Sequence, residues 1–217
     1  TRLAAYQFPV SLNDTTRAYF LAQAEMASPD VAADMRAVVA DPTNDEAAQR
    51  LWTANPSWNG MLRTTCVATQ FDGGHAPNAL PQRAKVNVNC RILPGVPMEQ
   101  VRADLIRVIA DDAISVHFGD EMGLPAPVPP LTAEMLDPIR TIAKALWPDA
   151  RVVPTLATGA TDGRFLNAAG TPTYGISGVF ADAAGSGAHG LNERIRVQSL
   201  LDARQFLHEL VKSYTRH

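Results

Sequence analysis

The chain has 217 residues, 46% hydrophobic and 19% charged, so it is globular rather than disordered, with room for one large domain or two small ones. A formal net charge of −3 with no Lys/Arg run excludes the electrostatic footprint of nucleic-acid binding. No apolar run reaches the length of a membrane span.

The opening, T-R-L-A-A-Y-Q-F-P-V, lacks an initiator Met and a signal-peptide layout, and it starts in what reads as the middle of a helix. The expectation is a fragment, with no segment from which to read a compartment. Residues Thr1 to Asn59 read as helical. Asn13 or Asp14 can cap a helix through Tyr19, Phe20 and Met26. Ser28-Pro29-Asp30 starts a second, with Pro at the first helical position and Val31, Met35, Val38 and Val39 at helical spacing. Asp41-Pro42 ends it, and a third helix is expected from Thr43 to Trp52. Trp52, Trp58 and Tyr19 read as packing.

The texture changes at Met61. M-L-R-T-T-C-V-A-T-Q-F is rich in β-branched residues and reads as a strand. After the loop D-G-G-H-A-P-N-A-L-P, Val86, Val88, Cys90 and Ile92 alternate with Lys85, Asn87, Asn89 and Arg91. That period of two predicts an antiparallel partner strand with Cys90 on the buried face. Cys66 and Cys90 are too few for a disulfide framework. Two buried thiols is the plain reading, and a cross-strand disulfide is the other. No C-x-x-C spacing points to structural zinc. Pro97 opens a helix with Met98, Val101, Leu105, Val108 and Ile109 on one stripe, and Ile114 to Phe118 reads as a short strand. Together these elements form most of a ferredoxin-like layer.

The Pro-rich run Gly123 to Leu131 reads as a linker. Beyond it, Thr132 caps a helix with Met135, Ile139, Ile142 and Leu146 inward. Arg151 to Leu156 and Thr171 to Ser177 read as strands, with a short helix capped by Asp162 between them. The last helix runs from Val197 to Tyr214, its expected buried side made of Leu200, Leu201, Leu207, Leu210 and Val211. Alternation of helix and strand gives an α/β class. Two domains are expected: residues 1–122 as a layer lacking its first strand, and 123–217 as the end of a larger α/β domain.

Chemistry concentrates between Thr155 and Glu193, where small residues and turn formers surround Asp162, Arg164, His189 and Glu193. Gly185, Gly187 and Gly190 match G-x-G-x-x-G, but no helix opens on the last glycine, so dinucleotide binding is not expected. His117, His208 and His217 read as structural or surface residues, and His75 sits in a Gly-rich loop within reach of a ligand. His189, between G-S-G-A and G-L-N-E, can ligate a metal, with Glu193 able to orient its ring. One imidazole is not a site, because catalytic zinc takes about three protein ligands.

Three segments occur in an order that resembles a known family. G-G-H-A-P-N-A-L-P-Q-R-A-K-V-N-V-N-C-R-I-L-P-G, T-G-A-T-D-G-R-F and A-H-G-L-N-E-R-I-R-V are similar to signatures of the metal-dependent exopeptidase and deacylase family of carboxypeptidase S, aminoacylase, acetylornithine deacetylase and succinyl-diaminopimelate desuccinylase. The resemblance implies a catalytic α/β domain with two zinc ions, or cobalt or manganese, and a ferredoxin-like lid that pairs the protein into a homodimer. It implies His189 as a zinc ligand, Asn78 as a lid residue reaching the substrate, and Arg164 with the backbone around Gly159 as the carboxylate clamp. Arg suits the clamp because its planar fork binds a carboxylate with two hydrogen bonds. The substrate class implied is a small N-acyl amino acid or dipeptide. Ala160 stands where the family has a second glycine. The family's H-x-D motif and the acidic segment with the general base precede the lid and are not in these residues. No catalytic acid or base is therefore expected in this stretch, and the stretch alone is expected to be inactive. The competing reading is a non-catalytic dimerisation module or an inactive homologue.

Overall fold

The computed structural model describes residues 2–119, 127–181 and 185–215. The fold is mixed α/β: among these residues it has helices α1 (Arg2–Ala5), α2 (Asp14–Ala24), α3 (Pro29–Ala40), α4 (Asp45–Ala54) and α5 (Pro56–Leu62), then strands β1 (Thr65–Gly73) and β2 (Ala84–Arg91). Helices α6 (Met98–Ile109), α7 (Ala133–Leu146), α8 (Gly163–Ala168) and α9 (Val197–Thr215) follow. Two compact units form, one from residues 1–128 with 153–171, the other from 129–152 with 172–217. The expected boundary at 122/123, part of the Pro-rich run and His217 lie outside the described residues.

In the first unit, short polar residues precede α2, α3, α4 and α5, and apolar residues at helical spacing close these helices over one core. Asn13 accepts from the Thr16 N–H while the Thr16 hydroxyl accepts from the Asn13 N–H, a reciprocal cap that starts α2. Asn44 caps α4 through the Ala47 N–H, and Asn55 accepts from the Ser57 N–H at the start of α5. Phe20, Met35, Val38, Leu51 and Leu62 are fully buried among these four helices. The Trp58 indole donates to the Tyr19 hydroxyl at 3.2 Å, which places both aromatics in the packing role expected of them. Helix α5 was not expected. It takes Met61 and Leu62 into the helical core and moves the start of the strand to Thr65.

The two strands pair antiparallel, with Cys66 opposite Cys90, Ala68 opposite Val88 and Phe71 opposite Val86. An irregularity between Ala68 and Gln70 inserts Thr69 as an extra residue. That bulge lets Phe71 share a face with Cys66 and Ala68 although the parity along β1 has changed. Asn87 donates its amide to the Thr69 hydroxyl at 2.9 Å and secures the bulge. The base of this face packs on Phe8, Val101 and Leu105, joined by Cys66, Cys90 and Ile92.

Four expectations are corrected. Cys66 and Cys90 are joined in a disulfide, not two thiols, and both are half-buried. Val86, expected on the buried face, is 46% exposed, because the apolar cluster under the sheet stops short of the hairpin tip. Ile114–Phe118, Arg151–Leu156 and Thr171–Ser177 are not strands: a strand exists only as part of a ladder, and these segments find no ladder partner among the described residues. Val116, Val152 and Leu156 still pack by their side chains, each on a nearby apolar cluster.

The fourth correction lies in the second unit. Helix α9 buries Ser199, Ala203, Phe206 and Leu210; of the expected stripe only Leu210 is buried, and Leu200, Leu201, Leu207 and Val211 are exposed. Phe206 and Leu210 pack with Ile139 and Ala143 of α7, and Trp147 adds an edge contact with Phe180. The Ser199 hydroxyl accepts from the Phe180 N–H and donates to its carbonyl, which accounts for a buried serine on that face. Leu200 and Val211, 53% and 61% exposed, lie on the side left open.

Candidate functional site

The loop between β1 and β2 carries Asn78. The Ala79 N–H donates to the Ala76 carbonyl at 3.3 Å, closing a turn with Pro77 second and Asn78 third. Proline pre-sets the backbone at that second position, and Asn tolerates the third. Asn78 is exposed, so its amide is free to reach a partner from the hairpin tip. Beside it, Asp72, Gly73, Gly74, His75, Gln82 and Arg83 line an open cavity of about 290 Å³.

The T-G-A-T-D-G-R segment folds as a tight entry into α8. The Arg164 N–H donates to the Thr161 carbonyl at 3.2 Å, and the Phe165 N–H to the Asp162 carbonyl at 3.0 Å. Asp162 precedes the helix but makes no side-chain cap, unlike the expectation. Gly159 stands in open space: a Cβ there would meet nothing within 4 Å, and its φ lies outside the left-handed region. Neither packing nor backbone conformation calls for glycine at that position, and its peptide is bare to an incoming ligand. Arg164 is half-buried, its guanidinium 4.6 Å from the centre of the Phe165 ring. Stacking of this kind restrains the fork while leaving its N–H edge available. Among the described residues no carboxylate pairs with it.

His189 sits on a loop that folds back on itself. The Gly190 N–H donates to the Gly187 carbonyl at 2.8 Å, and the Arg194 N–H to the Ser186 carbonyl at 2.8 Å. His189 has φ of 63°, a left-handed conformation uncommon outside glycine. Gly187 also has positive φ, and a Cβ on it would come 3.0 Å from the Asn192 carbonyl oxygen. The glycines thus let the loop double back, and the imidazole stands at its exposed turn.

Asn78, Gly159 and Arg164 belong to the first unit, His189 and Glu193 to the second. His189 and Glu193 share one loop, both exposed, and no hydrogen bond joins their side chains. Among the described residues no three His, Cys, Asp or Glu side chains gather as a metal-ligand set, so these residues alone do not fit a catalytic metal centre. Sequence reasoning missed the ring stacked on Arg164, although Phe165 directly follows it. It also missed α5, whose only signal was Asn55-Pro56.

A model of the peptidase dimerisation domain matches residues 11–117. Human N-fatty-acyl-amino acid synthase/hydrolase PM20D1 is 29% identical over 168 residues, which are 76% of this chain and 33% of that protein. A probable carboxypeptidase S-like 2 of Dictyostelium discoideum is 26% identical over 165 residues, 76% of this chain and 32% of that protein. The mouse PM20D1 is 26% identical over 168 residues, with the same 76% and 33% coverage. The chain thus spans about a third of the length of these curated relatives. No solved structure matches it. Among the described residues no helix is long and apolar enough to cross a membrane.

Proposed function

The chain belongs to the M20 metallopeptidase family, and from that premise we propose that the full-length protein hydrolyses an amide bond next to an amino acid with a free carboxylate. The substrate is an N-acyl amino acid or a dipeptide. The names of the relatives support this class, since one set is N-fatty-acyl-amino acid synthase/hydrolases and the other probable carboxypeptidase S-like proteins. The observation that carries the reading is the pairing of an open glycine peptide at Gly159 with the stacked guanidinium of Arg164, which no carboxylate pairs among the described residues. A substrate carboxylate takes the place of that partner, held by two charge-assisted hydrogen bonds. Asn78, on the hairpin tip, contacts the substrate from the lid formed by residues 1–122, and 123–217 belong to the catalytic domain.

Family members depend on metal, and a pair of zinc, cobalt or manganese ions supplies hydroxide near neutral pH when bound. This chain's own contribution is the His189 imidazole, with Glu193 on the same loop to orient it. The remaining ligands and the general base come from elsewhere in the full-length protein, so these residues alone bind no stoichiometric metal and hydrolyse nothing. The protein works as a homodimer paired through the lid. The match to a dimerisation domain also favours a second reading, a non-catalytic pairing module.

Kinetics of full-length variants decide between the two. Arg164→Ala should raise KM for free-acid substrates by about 10- to 100-fold and spare the corresponding amides, the loss of one charge-assisted contact. His189→Ala should abolish turnover with the fold intact. Equal effects of Arg164→Ala on acid and amide would overturn the clamp, and full activity in His189→Ala would overturn the ligand assignment. A wild-type protein without hydrolase activity would leave the pairing module standing.

A further inference from the structure

Gly60 lies inside α5, where glycine is a poor helix residue because it surrenders more backbone freedom than any other. The structure shows what occupies the space a side chain would take. A Cβ on Gly60 would come 3.0 Å from Cγ2 of Thr158 and 3.6 Å from its Cβ. That is tighter than nine in ten real Cβ contacts, so with alanine there Thr158 would have to give by a few tenths of an ångström. The run from Thr155 to Thr158 lies against the end of the same helix. The Thr155 hydroxyl faces the Met61 sulfur at 3.8 Å, and Leu156 packs on the helical core.

Helix α5 is a firm support for this run. Met61 and Leu62 are buried, and the Leu62 carbonyl accepts from the Ser11 N–H at 2.8 Å. Thr158 is followed directly by Gly159, and the same turn leads into Arg164. The two glycines differ in kind. A side chain on Gly60 would strike a neighbour, whereas one on Gly159 would meet nothing.

Resting on the carboxylate clamp proposed above, we propose that Gly60 is a positioning residue for that clamp. Its bare helix face seats the Thr158 methyl, and that seat fixes where the Gly159 peptide and the Arg164 fork meet the substrate carboxylate. Helices α2–α5 hold no reacting group, yet through this contact they set the affinity for free-acid substrates.

The test uses the full-length protein with N-acetyl-leucine and N-acetyl-leucinamide as paired probes. Gly60→Ala should raise KM for the acid by about tenfold, the scale of a small misplacement, and leave kcat and the amide KM within about twofold. Thr158→Ser removes the methyl that the new Cβ would strike, so Gly60→Ala/Thr158→Ser should recover the wild-type acid KM. A second measurement is thermal. Alanine is the better helix former, so an unopposed Gly60→Ala would raise Tm; the seat predicts a lower Tm, and a higher one when Thr158→Ser is already present. A raised Tm in Gly60→Ala alone, an unchanged acid-to-amide ratio, or a loss that Thr158→Ser does not rescue would each overturn the proposal. Arg164→Ala separates it from the reading beneath it. If Arg164→Ala shifts the ratio and Gly60→Ala does not, the positioning role alone fails. If Arg164→Ala leaves the ratio unchanged, the clamp fails and the positioning role with it.

Discussion

Asp41 shows how a single side chain couples two helices to pH. It ends α3, and its carboxylate accepts from the Thr43 N–H at 2.9 Å and from the Thr43 hydroxyl at 2.6 Å. These bonds, the hydroxyl's first, hold its carboxyl below the ordinary value of 3.8. A carboxyl depressed in the folded state stabilises the fold above its unfolded value and loses that contribution as pH falls through the folded one. Asp41→Ala should therefore be less stable than wild type at pH 7, with the difference closing below pH 3.8 in urea titrations. A gap that persists at pH 2 would assign Asp41 a role independent of its charge. At this scale much was legible. Asn13 and Thr132 cap the helices that their position before an apolar stripe predicts. Asp162 does not, because its own backbone is already helical at φ −62° and ψ −21°, and a cap needs an extended residue to swing its side chain over the first N–H groups.

At the scale of elements, the hairpin is a two-stranded sheet, marginal by itself, closed at its base by the Cys66–Cys90 disulfide. The bond closes a loop with a sequence separation of 24 residues. By the chain-entropy model a loop of that size gains about 3.5 kcal/mol, and Cys66→Ser/Cys90→Ser should lose about that much in denaturant unfolding. A change within error would mean that packing on Phe8, Val101 and Leu105 alone holds the hairpin. The alternation from Val86 to Ile92 makes this strand legible in the sequence, because period two is a local property. The bond between the cysteines is not legible there: it requires the register that sets Cys66 opposite Cys90, and register is a tertiary fact. The strands expected after α6 failed for the same reason. Their residues have strand composition, but a ladder needs a neighbour, which no window of sequence supplies. In α9 the expected buried side was Leu200, Leu201, Leu207, Leu210 and Val211, of which only Leu210 is buried. Phe206 won that face through its size and its contact with Trp147.

For the whole molecule, the proposed pairing of lids makes a direct prediction. Both strands of the sheet have an unpaired edge among the described residues, and Phe71 on the hairpin is 76% exposed. Sedimentation should show a homodimer, and Phe71→Glu should weaken it by about tenfold or more, as truncating a buried aromatic anchor does. A monomer at high concentration, or a dimer indifferent to the charge, would remove the hairpin from the interface. The candidate site was legible only as separate motifs: the segments that carry the family resemblance named Asn78, Arg164 and His189, while the clamp's support on α5 depends on a fold that brings residue 158 back to residue 60. The division into units has a further consequence, for inheritance. The chain passes between the two units three times, at 128/129, 152/153 and 171/172. Recombination between homologous genes must therefore exchange at all three points to join one whole unit from one parent with the other whole unit from the second parent. A single crossover anywhere from codon 129 to codon 171 gives offspring in which both units are assembled from two parents.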